Sequence, residues 1–184
     1  MDITVESKWK DGTVRPSSVQ QFVIDRLLED QTFSILFDDD ESGEAADVIA
    51  IRDTGARVEV HLVHCKFSDV ASPGSRANDL YVVCGQAEKN VMWTLNFNHL
   101  VEHIIHRQKK TLNGRPTRFE RGSLKELSQI QRASRKAPPE YSVTVVQPGV
   151  SKSTFRPEHS AILGATSLFL RQRLNTALRV WVSP

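Results

Sequence analysis

The sequence predicts an α/β fold: a central mixed β-sheet flanked by helices, with a helical insert. Three observations predict it. Short apolar runs of strand composition, from FSILF to LRVWVSP, are interleaved with segments of helical period. A DTGA turn joins two of those runs into a hairpin. The resulting order is helix, three strands, helical insert, strand, helix, strand, which suits a sheet covered by helices.

Each element has its own signal. RPSSVQQFVIDRLLED offers a serine N-cap and apolar residues at Val19, Phe22, Val23, Leu27 and Leu28, so it reads as an amphipathic helix. FSILF follows as a short strand. Beyond the acidic loop DDDESGE, the runs ADVIAIRD and RVEVHLVHCKF form the hairpin. PGS breaks the chain at residues 73–75. NDLYVVCGQAEKNVMW reads as a helix capped by Asn78, with Leu80, Val83, Cys84, Ala87 and Val91 on one face. NHLVEHIIHRQKK is a second helix, and SLKELSQIQRASRK a third, opened by a capping box of Ser123 and Glu126. YSVTVVQPG is a buried strand ended by its proline and glycine. RPEHSAILGATSLFLRQRL is a helix, and LRVWVSP the last strand.

At 184 residues, 39% hydrophobic and 25% charged, the chain is expected to form one domain over 1–184. Its core is assigned to 17–92 and 140–184, and a basic helical insert to 97–136. No apolar run approaches the roughly 18 residues of a membrane span. The opening MDITVESKWKDG lacks the apolar stretch of a signal peptide, so a cytoplasmic protein is expected. Two cysteines, Cys65 and Cys84, do not make a disulfide framework. The net charge of +2 conceals an asymmetry. Residues 1–66 carry 7 Lys/Arg against 14 Asp/Glu, whereas residues 97–136 carry 10 against 3. An acidic cluster beside a basic surface suits a metal-dependent enzyme acting on a polyanion, although solvated faces also produce such blocks.

Lys66 stands where the strand VEVHLVHCKF should still be buried, and a buried ammonium requires a partner. Residues two apart on a strand share a face about 6.6 Å apart, so His64 and Lys66 point together while Cys65 turns away. The hairpin brings Asp47 to the same end. Asp47, His64 and the Cys65 carbonyl could hold a divalent ion, leaving Lys66 to orient water or steady a phosphate. The structural alternative is an Asp47–Lys66 ion pair closing the hairpin.

A helix, a strand with an acid, a hairpin strand ending in acid-x-Lys and a further helix form a pattern that resembles the PD-(D/E)XK nuclease superfamily. The resemblance covers residues 17–92 and extends to the strand at 142–147. It implies a restriction-endonuclease-like core, with Asp47 as the first acid, His64 in the place of the second, and Lys66 as the lysine. GEAADVIAI, HLVHCKFS and DLYVVCGQAEKNVMW together look like the nuclease-type module at the C-terminus of bacterial helicase-like defence proteins. That implies a DNA phosphodiesterase using Mg²⁺ or Mn²⁺, within a larger helicase-linked defence or restriction protein. His64 departs from the pattern, and imidazole suits manganese better than magnesium. Glu44 is the expected compensating acid. Glu59 is expected to face away, and Asp25 or Glu29 could add a carboxylate from the first helix. Gln86 and Lys89 lie where related nucleases direct polar residues toward site or substrate.

Arg107, Lys109, Lys110, Arg115, Arg118 and Arg121 bracket the turn LNGRP and are read as a phosphate clamp for sequence-independent DNA contact. Gln147, Ser151 and Lys152 mark a weaker strand-end site. His99, His103 and His106 share a helical face suited to zinc but lack a fourth ligand. His61 and His64 fall on opposite strand faces. Asp38 to Glu41 could bind metal, but an exposed turn is the favoured reading. Two functions remain open: a metal-dependent nuclease, and a catalytically silent module that binds nucleic acid or docks a partner.

Overall fold

The structure is a computed structural model that describes residues 1–110, 115–136 and 138–184. The chain opens with a small ribbon, β1 (Trp9–Lys10) and β2 (Thr13–Val14), before α1 (Val19–Glu29). Ser18 caps α1 by accepting from the Gln21 amide at 3.1 Å. Strands β3 (Ile35–Asp38), β4 (Val48–Asp53) and β5 (Val58–Cys65) follow, then α2 (Ala77–Lys89) with a 3₁₀ turn at Asn90–Thr94. Next come α3 (Phe97–Lys109), β6 (Phe119–Arg121) and α4 (Leu124–Ala133). The chain closes with β7 (Glu140–Ser151), α5 (Pro157–Leu174) and β8 (Leu178–Ser183).

Six strands form one mixed sheet in the order β6-β3-β4-β5-β7-β8. β3, β4 and β5 are antiparallel neighbours, β6 adds antiparallel to β3, and β7 and β8 join parallel to β5. The expected α/β class with helices flanking a mixed sheet is what the chain adopts. Side-chain parity divides the layers. Val48, Ala50, Val63 and Cys65 pack with Val19, Val23 and Leu27 of α1 on one face. Ile49, Ile51, Val60 and Leu62 face α3 and α4 on the other, where Val143 and Val145 meet α2 and α5.

Three details differ from the sequence reading. The insert contributes β6 to the sheet edge, so it is not wholly helical. β7 continues through Pro148 and Gly149. There the register against β8 shifts between Gln147 and Ser151, and a bridge forms between Gly74 and Val150. A side chain at Gly149 would lie 2.7 Å from the Ser68 hydroxyl, so close approach explains the glycine. Finally, α2 starts at Ala77 with no side-chain cap; Arg76 instead pairs with Asp79 at 2.8 Å, and Asn78 lies inside the helix. Among the described residues no helix is long and apolar enough to cross a membrane.

Antiparallel pairing decides where chemistry can gather. Val48 pairs with Asp38 and with Val63, so the end of β3, the start of β4 and the end of β5 meet at one edge. Cys65 pairs with Val146 there as well. The acidic loop between β3 and β4 closes over this edge.

Candidate metal centre

The loop from Asp39 to Ala46 carries four acids beside a buried edge, and arginines from the insert hold it there. Asp39 is wholly buried and accepts from Arg107 Nε at 2.8 Å, from the Ala45 amide at 2.7 Å, and contacts His103 Nε2 at 2.7 Å. Arg107 Nη2 donates to the carbonyls of Asp39 and Asp40, and Nη1 to that of Ser42. Arg118 enters from the other side, donating to the carbonyls of Asp38 and Asp40 and to Glu41 Oε2 at 2.5 Å. Arg115 pairs with Asp38 and lies over the Trp9 ring. Buried carbonyls need donors, and these guanidiniums supply them in the fork geometry that suits such clusters.

That clamp fixes three carboxylates together. Ligand oxygens of Asp40, Glu44 and Asp47 lie within 4.8 Å of one another. Asp47 is buried, and its Oδ2 accepts from the Cys65 amide at 2.8 Å. Gln20 braces the group from α1. Its Nε2 donates to Asp38 Oδ1 at 2.7 Å and to the Asp47 carbonyl at 3.1 Å, while its Oε1 accepts the Lys8 amide at 2.6 Å.

The electrostatics are those of acids forced together. Burial, then Glu44 and Asp40, push Asp47 well above the usual carboxylate range. Burial and Asp40 push Glu44 up to about 7. Burial raises Asp40, against a hydrogen bond from Ser7. Glu6 adds negative charge to all three. Clustered oxygen donors whose charges oppose one another fit a hard divalent cation, which relieves the repulsion while replacing lost hydration.

A pH dependence follows. Glu44 has a folded value near 7 against 4.5 in an unfolded chain, so the folded state holds the extra proton between those values. Its contribution to stability is present below 4.5 and is lost as pH rises through 7. Asp40 and Asp47 act in the same direction. The melting temperature of the metal-free chain is therefore expected to fall across that window from these acids. Mg²⁺ should reverse the fall, because the deprotonated acids bind it; a loss of the same size with and without metal would contradict the site.

Lys66 has a partner other than the one expected. Its Nζ lies 2.8 Å from Glu6 Oε2, which also accepts the Phe67 amide at 2.9 Å. The ammonium sits 4.4 Å from the centre of the Phe67 ring. The alternative of an Asp47–Lys66 pair is replaced by this one.

His64 is opposite Asp47 in the extended hairpin register, on the face of Leu62, as parity requires. It is nevertheless not a member of the carboxylate group; Asp40 takes that place. Both ring nitrogens are buried without a hydrogen-bond partner among the described residues, and burial pushes the imidazole down to about 4, so it is neutral. His64→Leu removes two unpaired polar atoms at similar volume and is expected to stabilise the metal-free chain by about 1 kcal/mol. A loss of stability on chemical denaturation would show that the ring has a partner. Cys65 turns its thiol into the α1 core, away from His64 as strand parity requires, and its amide serves Asp47.

Glu44 does join the centre. Gln86 and Lys89 line a cavity of about 460 Å³ with Asp40, Glu44 and Trp93, so α2 faces the acidic loop. The remaining acids lie elsewhere. Asp25 and Glu29 are exposed and bond within α1 to Gln21 and Arg26. Glu59 faces away, paired with Arg52 and Arg57. Asp38 and Asp39 are buried, which corrects the exposed turn read from the sequence.

The phosphate clamp is corrected most. Arg107, Arg115 and Arg118 hold the acidic loop, and Arg121 donates to the carbonyls of Leu28, Asp30 and Phe33 behind α1. Only Lys109 and Lys110 of that set are exposed, and part of the LNGRP turn lies outside the described residues. The histidine trio does not assemble, since His103 contacts Asp39 while His99 and His106 face solvent. His61 contacts Thr144 Oγ1 at 2.7 Å. Gln147 is buried, bonded to the Phe67 carbonyl and Gly149 amide, and Ser151 bonds Ser153 and the Pro184 carbonyl. Lys152 is exposed.

Glu6 and Gln20 escaped the sequence reading, since both lie outside any spacing motif. Asp40 belongs to the acidic run for which metal binding was the lesser alternative, because sequence alone does not distinguish three consecutive aspartates. No family model matches the chain, and no curated protein or solved structure matches it either.

Proposed function

We propose that the chain is a metal-dependent nuclease domain of restriction-endonuclease-like type that hydrolyses DNA phosphodiester bonds. The observation that carries this reading is the meeting of Asp40, Glu44 and Asp47 at the hairpin edge, with Lys66 held by Glu6 at the end of the adjoining strand. The succession of α1, β4 following Asp47, β5 running into His64 and Lys66, and α2 supports this reading, because the resemblance rests on that element order. A place within a larger helicase-linked defence or restriction protein belongs to the same proposal.

Asp40, Glu44 and Asp47 would hold Mg²⁺ or Mn²⁺ through oxygen. When bound, such an ion supplies Lewis-acid stabilisation of charge developing on a phosphate. The chain's own groups have separate tasks. Lys66, oriented by Glu6, steadies a phosphate oxygen. Gln86 and Lys89 bound the substrate side of the cavity. Gln20 and Arg107 hold the acids in register from beneath.

A second reading is a silent nuclease-like module. It is favoured by His64, which stands where the pattern has an acid and has no hydrogen-bond partner among the described residues. Incubating DNA with the chain in Mg²⁺, Mn²⁺ or Zn²⁺, with Asp47→Ala as control, separates the two. The nuclease reading expects cleavage in Mg²⁺ or Mn²⁺ that the control loses. No wild-type cleavage in any metal, with DNA binding retained, selects the silent module.

A further inference from the structure

A second concavity lies at the other end of the sheet, about 23 Å from the acidic edge along the length of β5. It has a volume of about 1210 Å³, above the roughly 300–1,000 Å³ of small-molecule pockets. The hairpin end of β4–β5, the start of β7 and the connection from α5 to β8 form its walls. Five arginines and two glutamates line it. The glutamates are already engaged: Glu59 pairs with Arg52 and Arg57, and Glu140 with Arg57. Arg171, Arg173 and Arg179 are exposed and have no carboxylate partner among the described residues. Tyr141 also lines the cleft, and its buried hydroxyl has no hydrogen-bond partner among the described residues.

We infer that this cleft binds the phosphate backbone of a nucleic acid. Three guanidiniums without a carboxylate partner among the described residues, Arg173 lying over the Phe169 ring, focus positive potential in one concavity, and arginine's fork matches phosphate oxygens bidentately. The size and polar lining suit a polymer segment better than a single small ligand. Apart from Tyr141, no aromatic residue lines the cleft for base stacking, so its contacts are to backbone and indifferent to sequence. Arg107, Arg115, Arg118 and Arg121 of the insert are committed to the acidic loop and to α1, whereas Arg171, Arg173 and Arg179 are exposed in one concavity. The choice of nucleic acid among polyanions rests on the nuclease reading, but binding at the cleft does not require the acidic centre to be active.

The test is fluorescence anisotropy of a labelled DNA duplex in EDTA over a range of KCl, which excludes cleavage and metal bridging. Wild type is compared with Arg171→Gln/Arg173→Gln/Arg179→Gln and with Lys109→Gln/Lys110→Gln, each checked for an unchanged melting temperature. The triple variant is expected to bind about tenfold or more weakly at low salt. Its slope of log affinity against log salt should be shallower by about 3, at roughly 0.9 per lost phosphate contact. Unchanged affinity and slope overturn the cleft, as does a larger effect of the lysine pair. Inorganic polyphosphate that displaces DNA equally well, charge for charge, overturns the nucleic-acid assignment. A chain that cuts nothing in metal but shows the expected loss in EDTA keeps the cleft and removes the nuclease reading. A chain that cuts, with binding unaltered in the triple variant, does the reverse.

Discussion

Asp47→Asn is expected to remove metal-dependent cleavage by at least about a thousandfold, close to 4 kcal/mol of transition-state stabilisation. The expectation follows from the position of the carboxylate. Asp47 is buried at the start of β4, faces Asp40 and Glu44, and already has one oxygen oriented by the Cys65 amide. Asparagine retains an acceptor for that amide, so the hairpin edge keeps its geometry. It also removes a charge from a group where burial and neighbouring acids oppose ionisation. The melting temperature of the metal-free variant should therefore not fall, while stabilisation by Mn²⁺ should be lost. If Asp47 were only a structural hydrogen-bond acceptor, cleavage and metal stabilisation would both survive the change. Thermal melts with and without Mn²⁺, beside cleavage rates, distinguish the outcomes.

Arg107→Ala is expected to destabilise the chain by about 3–5 kcal/mol, the range for removing one partner of a buried ion pair. Asp39 would be left with His103 and the Ala45 amide, and the carbonyls of Asp39, Asp40 and Ser42 would lose a donor. Because the same loop presents Asp40 and Glu44, metal affinity should weaken in the fraction that remains folded. The contrast with a phosphate-contacting arginine is measurable. Such a residue would reduce DNA affinity and salt dependence without moving the denaturation midpoint. Equilibrium denaturation of Arg107→Ala with an unchanged midpoint would return the basic insert to the surface role expected from composition.

Hairpin, layers and the convergence of β4 with β5 were readable because strand parity and the Gly55 turn are local signals. Gly55 takes φ +78°, and Thr54 accepts back across the turn from Arg57. Asp47 was readable for the same reason, since it continues the β4–β5 register, whereas Glu44 lies in the loop and was singled out only as the acid three residues before Asp47. The partner of Lys66 was not. Glu6 sits in the N-terminal segment with no periodic neighbours, and only tertiary folding brings it to β5. Charge blocks misled in an instructive way: composition shows that 1–66 is acidic and 97–136 basic, but not that Arg107 and Asp39 meet inside the molecule. Part of what looked like a surface for a polyanion is internal neutralisation, since Arg107, Arg115 and Arg118 pair with acids of β3 and the β3–β4 loop. β6, at three residues, is too short to show a period, and β7 crosses a proline–glycine pair that ordinarily ends a strand.

Calorimetric titration of Mn²⁺ into the wild-type chain, repeated with Asp40→Asn/Glu44→Gln, reads the central claim most directly. The account predicts one saturable site that releases protons on binding more strongly as the buffer pH falls below 7, and that the double variant loses. No saturable binding, or binding of equal affinity and stoichiometry in the double variant, would contradict it.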